Sequence, residues 1–350
     1  MTLPRPDLSQ ADPAIRAYVE SLEAEIELLR ASASEGEETA TAPEAAEPSE
    51  LPTSINVIVL SRGGLLKRTP RHLYDRQRRS GMGIFDIDLP DDDAPLSLTL
   101  ADESDTLILL TNQARAFRLP VNTLPESLVR ARGASLAGHL PDLQADEGIV
   151  VALPAQSQGY LAMLSRSGHV RCLPAHVFGE SLGPGADVYN RDRLGPLVAA
   201  CWTPGNGDLF IATRNGLAIR FSEKQVSMQG GPGIRLEAGD AAVAIASVRE
   251  ESGVFLLGAD GKGTIRLMSG FSPNKSPGAG GKVALKTEHL AGAVTVNETD
   301  DVIIISRLSK IIRFRAKEVP AKEGVVQGVH CMSLRADETV AVAASPTTPA

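Results

Sequence analysis

The sequence predicts an all-β fold, a six-bladed β-propeller, preceded by a short α-helix and a disordered linker. Three observations predict it. One strand–turn–strand motif recurs six times from Ser54 onward, the copies begin 45 to 54 residues apart, and a glycine-rich stretch with a second β pattern follows each copy. A period near ~40–50 residues with short strands in every unit is the mark of a propeller-like array rather than of several unrelated domains.

The copies read VIVLSRGGLLKRTP from Val57, LILLTNQARAFRLP from Leu107, LAMLSRSGHVRCLP from Leu161, LFIATRNGLAIRFS from Leu209, VFLLGADGKGTIRLM from Val254 and VIIISRLSKIIRF from Val302. In the first, Val57 to Leu60 form an apolar run and Ser61, Arg62, Gly63 and Gly64 supply turn chemistry. Glycine reaches positive φ there without steric cost. Leu65 and Leu66 open the return strand, which continues through Lys67 and Arg68. Gly81-Met82-Gly83 then leads into Ile84, Ile87, Leu96 and Leu98; its later counterparts are Gly183 with Gly185, Gly230 to Gly233, Gly278 to Gly281, and Gly324 with Gly328. Four short strands per repeat make each repeat one blade. A lone blade cannot bury both faces, whereas six stacked blades can, and a closed ring leaves only short, protected edges. The repeat domain is placed at residues 54–346.

Ahead of it, residues 1–33 carry a helix and residues 34–53 an acidic, flexible linker rich in Ser, Glu, Ala, Thr and Pro. The helix spans 12–31, with Asp12 as cap and Pro13 in the first turn. Ile15, Val19, Leu22, Ile26 and Leu29 form its apolar seam. β-Branched residues at heptad position a with Leu at d favour a parallel two-stranded coiled coil, hence a homodimer through residues 12–31. The alternative is an amphipathic helix lying on its own chain or on another protein.

Composition narrows the function. Aromatic residues are only 4%, so Val, Leu, Ile and Ala pack the blades. No apolar run is long enough for a membrane span, and MTLPRPDLSQ is no signal peptide. Cys172, Cys201 and Cys331 are odd in number and widely spaced, which fits a reducing cytosol and no zinc motif. The expected location is cytoplasmic and nucleoid-associated. The six histidines have neither metal-ligand spacing nor a nucleophile partner, and no GxxxxGK[ST] loop occurs. No catalytic residue, metal or cofactor is expected.

The net charge of −8 is unevenly distributed. Residues 1–50 hold three basic and twelve acidic side chains, leaving 32 and 31 for the repeats. Residues 55–79 carry seven basic residues against Asp75 alone, and 302–317 carry five with no acid. In a closed ring these segments are neighbours, which predicts one contiguous basic sector. The return strands also end in a basic residue in every repeat, at Arg68, Arg118, Arg171, Arg220, Arg266 and Arg313, with Lys67 beside the first. Taken together, these form a belt of positive charge on which a polyanion such as double-stranded DNA can follow the rim, because phosphate contacts need charge but no base-specific geometry.

Gln77-Arg78-Arg79-Ser80-Gly81-Met82-Gly83 resembles the gyrase A box, QRRGGKG, and LSRGGLLKRTP before it resembles the first-strand pattern of the same family. The resemblance covers residues 54–346 and is to the C-terminal domain of the gyrase and topoisomerase IV A subunits. It implies a β-pinwheel that binds and bends DNA around its rim, with Gln77, Arg78, Arg79, Gly81 and Gly83 as the box. Ser80 and Met82 stand where the family has Gly and Lys, which removes one cation. The family's catalytic tyrosine domain has no counterpart here. The expected function is non-catalytic, largely sequence-independent DNA binding and bending, accessory to a gyrase or topoisomerase IV core; the alternative is a protein-interaction scaffold without DNA binding.

Overall fold

The apolar runs of the motif are buried on both faces, which is why they read as unbroken rather than alternating. In the computed structural model, which describes residues 50–144, 146–273 and 275–345, the second to seventh residues of the first strand are all buried. The expected helix at 12–31, its dimer seam and the linker before Glu50 lie outside the described residues.

Repeat 1 contributes β1 (Ile55–Ser61), β2 (Leu65–Pro70), β3 (Ile84–Phe85) and β4 (Pro95–Asp102). Repeat 2 contributes β5 (Thr106–Thr111), β6 (Arg115–Pro120), β7 (Ala134–Ser135) and β8 (Ile149–Pro154). Repeat 3 has β9 (Tyr160–Ser165), β10 (His169–Pro174), β11 (Ala186–Asp187) and β12 (Leu197–Thr203). Repeat 4 has β13 (Asp208–Thr213), β14 (Leu217–Ser222), β15 (Gly231–Pro232) and β16 (Ala242–Val248). Repeat 5 has β17 (Gly253–Gly258), β18 (Lys262–Leu267), β19 (Lys282–Val283) and β20 (Leu290–Val296). Repeat 6 has β21 (Asp301–Ser306), β22 (Lys310–Arg315), β23 (Ala321–Lys322), β24 (Val329–His330) and β25 (Thr339–Ser345).

The blades are not the repeats. Each repeat gives its third strand to the preceding blade: β7 pairs with β2, β11 with β6, β15 with β10, β19 with β14, and β23 and β24 with β18. The third strand of repeat 1, β3, pairs with β22 and thereby closes the ring on blade 6. The six sheets run from inner to outer edge as β4-β1-β2-β7, β8-β5-β6-β11, β12-β9-β10-β15, β16-β13-β14-β19, β20-β17-β18-β23 and β25-β21-β22-β3. The exchanged strands are two residues long, so the outer edges offer little template for further pairing.

Closure also shows in the packing. Alternate residues of one strand serve two neighbours, with Ile58 and Leu60 packing toward Leu107, Leu109 and Phe117 of blade 2. Val57 and Val59 pack toward Ile303, Ile305 and Ile311 of blade 6. The inner strands face a central channel lined by side chains such as Leu98, Ala152, Ala200, Ile245, Ala293 and Val342.

The hairpins between the first two strands share one device. A left-handed residue closes each turn: Gly64, Ala114, Gly168, Gly216, Gly261 and Ser309, with φ between +61° and +84°. In repeats 1, 2, 3 and 6 the hydroxyl of Ser61, Thr111, Ser165 or Ser306 accepts from the backbone N–H four residues on, at 3.0–3.1 Å. That fixes the register of strands whose two faces are equally apolar.

Candidate nucleic-acid interface

Four of the recurrent arginines occupy one register position. Arg68 lies opposite Ile58, Arg118 opposite Ile108, Arg220 opposite Phe210 and Arg313 opposite Ile303. Each sits three residues into its strand and reaches the next blade, where the short 3-10 turn after the second strand presents carbonyls, the first of which in repeats 1, 2 and 5 also accepts from the turn's own cap N–H. Arg68 Nη1 donates to Val121 O and Leu124 O at 3.3 and 3.1 Å, and Arg220 Nη1 to Met268 O and Phe271 O at 2.8 and 3.2 Å. Arg313 Nη1 donates to Arg71 O and Tyr74 O at 3.1 and 3.2 Å, and Arg118 Nη1 to Phe178 O. Polar partners from the first strand hold the other side of the guanidinium: Asn56 for Arg68, Asp208 for Arg220 and Asp301 for Arg313.

The expectation of a solvated belt at these positions is therefore corrected. Arg68, Arg220 and Arg313 are 4%, 3% and 2% exposed and clamp blade to blade; only Arg118 is half-buried. Arg171 and Arg266 are not equivalent to them. Arg171 comes two residues into β10 and Arg266 four into β18, opposite Met163 and Val254. A one-residue slip turns a side chain to the other face of the strand. Cys172 and Ile265 take the clamp position in those repeats. Half-buried Arg171 bonds Val188 O and Met228 O instead.

Lys67 is likewise buried. Its Nζ lies 2.6 Å from Asp86 Oδ1, with both side chains fully enclosed, and Tyr74 donates its hydroxyl to the same oxygen at 2.6 Å. Desolvation pulls the Lys67 ammonium below its usual pKa, against the pull of Asp86. Burial first and Asp86 second push the Tyr74 phenol well above its usual value. Since Asp86 follows β3, this triad ties the closing strand to blade 1.

A second charged knot lies on the same seam. Arg313 and Arg76 both bond Asp301, at 2.5–3.1 Å. Glu50, at the linker's end, reaches Arg313 at 2.6 Å and also pairs with Arg71. Burial pushes the Glu50 carboxyl up, but hydrogen bonds from Arg71 and Arg313 together outweigh it and hold the pKa below the usual 4.5. The first and last blades do meet. Of the twelve cations in their joint basic sector, Lys67, Arg71, Arg76 and Arg313 are paired with carboxylates inside the seam.

The box itself lies on the strap that carries β3 to blade 6. Gln77 N–H donates to Arg313 O at 2.7 Å, and Ser80 N–H to Cys331 O at 2.9 Å. Arg79 Nη1 and Ser80 Oγ both donate to His330 O, at 3.1 and 2.7 Å. Gly83 has φ +71°, and a Cβ there would meet Ile311 O at 2.6 Å. Gly81 is similarly crowded, by Gln77 Oε1 at 2.9 Å. The box glycines thus serve strand docking. Arg78 is exposed, and Gln77 and Arg79 are half-buried.

Exposed or half-exposed cations do collect, on the loops bearing the exchanged strands. Those at the outer edges of blades 6 and 1 hold Arg78 with Arg79 and Arg130 with Arg132. Those of blades 4 and 5 hold Lys275 with Lys282 and Lys317 with Lys322. The loop of blade 2 carries Glu180 and Asp187 instead, and that of blade 3 has Lys224 followed by exposed Met228. Closure makes blades 4, 5, 6 and 1 one continuous arc. Spacing along the chain hid it, because its members lie before or within two-residue strands whose blade the sequence does not show.

The three cysteines are free. Burial pushes the Cys172 and Cys331 thiols up to about 12, and that of Cys201 higher still. Among the described residues no His, Cys, Asp or Glu group could hold a metal ion, and no helix is long and apolar enough to cross a membrane.

Six blades, five of four strands and one of five, each with an exchanged outer strand and closed through a box-bearing strap, define the β-pinwheel class. The family model described as DNA gyrase C-terminal domain, beta-propeller, matches residues 56–94, 105–153, 207–249 and 300–345, just over half of the chain. The chain belongs to this family. The matched segments are repeats 1, 2, 4 and 6, the four with an in-register clamp. The DNA gyrase A protein of Mycobacterium leprae (strain TN) is 28% identical over 300 residues, covering 81% of this chain and 23% of that protein. Its counterpart in Salmonella typhimurium is 28% identical over 296 residues, covering 81% and 34%. The chain thus spans about a quarter to a third of the length of these relatives. The solved DNA gyrase A C-terminal domain superposes with a TM-score of 0.73 at 22% identity, covering 83% of this chain and 99% of that one, which shows a shared fold.

Proposed function

We propose that the pinwheel binds double-stranded DNA without catalysis and largely without sequence preference, bending it along the arc of blades 4, 5, 6 and 1. The observation that carries this reading is the outward placement of Arg78, Arg79, Arg130, Arg132, Lys275, Lys282, Lys317 and Lys322 on successive exchanged-strand loops. Such an arc suits phosphate tracking, since backbone contacts position a duplex and supply most non-specific affinity. Within the box, Gln77, Gly81 and Gly83 shape the strap and Arg78 and Arg79 supply its charge. Of the recurrent residues Lys67, Arg68, Arg118, Arg171, Arg220, Arg266 and Arg313, the clamps hold the blades that carry the arc. Membership in the gyrase family supports action beside a gyrase or topoisomerase IV core in the cytoplasm. The heptad seam in the sequence of residues 12–31 suits the joining of two copies.

Exposed apolar residues on the exchanged-strand loops of blades 1 and 3 favour a second reading, a protein-docking rim. Leu128 is 71% and Met228 77% exposed. A titration of the full chain on a long duplex at several salt concentrations separates the two. DNA binding gives affinity that falls steeply with salt, and Arg78→Glu with Arg79→Glu weakens it. No shift at low salt retires the DNA reading and leaves the scaffold.

A further inference from the structure

The slipped arginine of repeat 5 is unlike the other five. Arg266 is 5% exposed, yet its Nε and Nη1 have no hydrogen-bond partner. Among the described residues its one hydrogen bond is a long 3.5 Å contact from Nη2 to Gly270 O. Buried guanidinium N–H groups without acceptors are costly, and natural structures rarely leave them so.

A second cation shares its surroundings. Arg266 Cζ is 5.5 Å and Lys282 Nζ 4.1 Å from the centroid of the same Phe271 ring. Lys282 belongs to β19, the exchanged outer strand of blade 4, whereas Arg266 belongs to β18 of blade 5. Lys275 approaches from the loop before β19, donating to Gly280 O at 2.6 Å. Arg235 is exposed on the far side of that loop, its Nη2 3.6 Å from where a Gly280 Cβ would stand. No carboxylate forms an ion pair with Arg266, Lys275 or Lys282 among the described residues. Glu323, exposed and hydrogen-bonded to Ser269 at 3.0 Å, is the acid that acts on Arg266, from beyond ion-pair range. Desolvation, then the nearby Arg266, Lys275 and Arg220, pull the Lys282 ammonium below its usual pKa, as expected where positive charge is uncompensated. Arg220 is itself neutralised by Asp208 and Glu250, so the excess resides on Arg266 and the two lysines.

We propose that the junction of blades 4 and 5 is a phosphate-binding site, in which Lys282 and Lys275 take a backbone phosphate of duplex DNA over the buried charge of Arg266. The phosphate's source rests on the DNA reading above; the site itself does not. A phosphate held by the two ammonium groups brings the counter-charge that the protein withholds from buried Arg266, and it relieves the crowding of cations around Phe271. Cation pairs on a shared ring at a blade junction also give the site a fixed place on the arc, whereas the box arginines ride on a strap.

The test uses the full chain with two variants. Lys282→Gln removes a half-buried ammonium, and Arg266→Leu installs the residue type that repeat 2 buries at the same register, Leu119. Thermal melting in inorganic phosphate, against chloride of equal ionic strength, probes the site directly; duplex titration across salt concentrations probes the source. The expected result is stabilisation by phosphate that both variants lose. The same variants should weaken duplex binding several-fold and lower the slope of log affinity against log salt by about one. Duplex binding with unchanged affinity and slope in both variants, and no phosphate effect, overturns the site while leaving the DNA reading standing. Phosphate stabilisation lost in the variants, with no duplex binding by the wild type, keeps the site and overturns the DNA reading.

Discussion

Repeats 6 and 5 are neighbours in the ring and both open the second strand with lysine and carry an arginine in it, with Lys-Ile-Ile-Arg at 310–313 and Lys-Gly-Thr-Ile-Arg at 262–266. One extra residue separates lysine from arginine in repeat 5, and it reverses the arginine's role. In repeat 6, Arg313 turns toward Asp301, Arg71 O and Tyr74 O and joins two blades. In repeat 5, Ile265 takes that face and Arg266 turns to the other, toward Phe271. A strand alternates with a period of two, so the position of a charge within its strand matters more than its recurrence along the chain.

The comparison breaks most sharply at Asp301. Asp301→Ala takes from buried Arg313 the fully enclosed one of its two carboxylates and breaks the Arg76 pair, so a loss of about 3 kcal/mol or more is expected in urea unfolding. Next comes the contrast between clamps. Arg220→Leu takes the guanidinium from Asp208 and from Phe271 O and should cost about 3 kcal/mol or more, whereas Arg171→Leu, half-buried and out of register, should cost about 1 kcal/mol or less. Equal costs would mean that the register distinction carries no energy. Gly83→Ala forces a side chain onto Ile311 O at a left-handed φ, with an expected cost of about 1–3 kcal/mol. Hydrogen exchange should place the loss at β3 and β22 rather than across the whole ring. The smallest effect is that of Glu50. Its pKa is lowered in the folded protein, so its contribution is fully present above the unfolded value near 4.5 and fades as pH falls through the folded value. Glu50→Gln should flatten that part of the stability–pH curve and leave the neutral-pH fold intact.

Much of this was legible from the repeats. Their number and the hairpin turns follow from spacing and glycine placement, and the box from the resemblance of Gln77 to Gly83 to a family motif. Blade membership was not, because β7, β11, β15, β19 and β3 are two-residue strands with no pattern of their own. Their pairing is chosen by the neighbouring blade's free edge. The basic residues were visible but misassigned. Lys67, Arg68 and Arg313 read as surface, since a sequence shows a cation without showing the Asp86, Asn56 or Asp301 that encloses it. Aligning on the first residue of each second strand, rather than on the arginine, separates Arg171 and Arg266 from the other four.

The sequence by itself determined a six-fold β repeat, because apolar periodicity and turn chemistry are local and repeat with the chain. Only the tertiary structure decided which charges face water. Exchanging one short strand per repeat brings residues more than two hundred positions apart, such as Arg76 and Asp301, into contact across the closing seam. Whether a cation there becomes a clamp, a buried pair or an exposed contact depends on partners that no local pattern encodes.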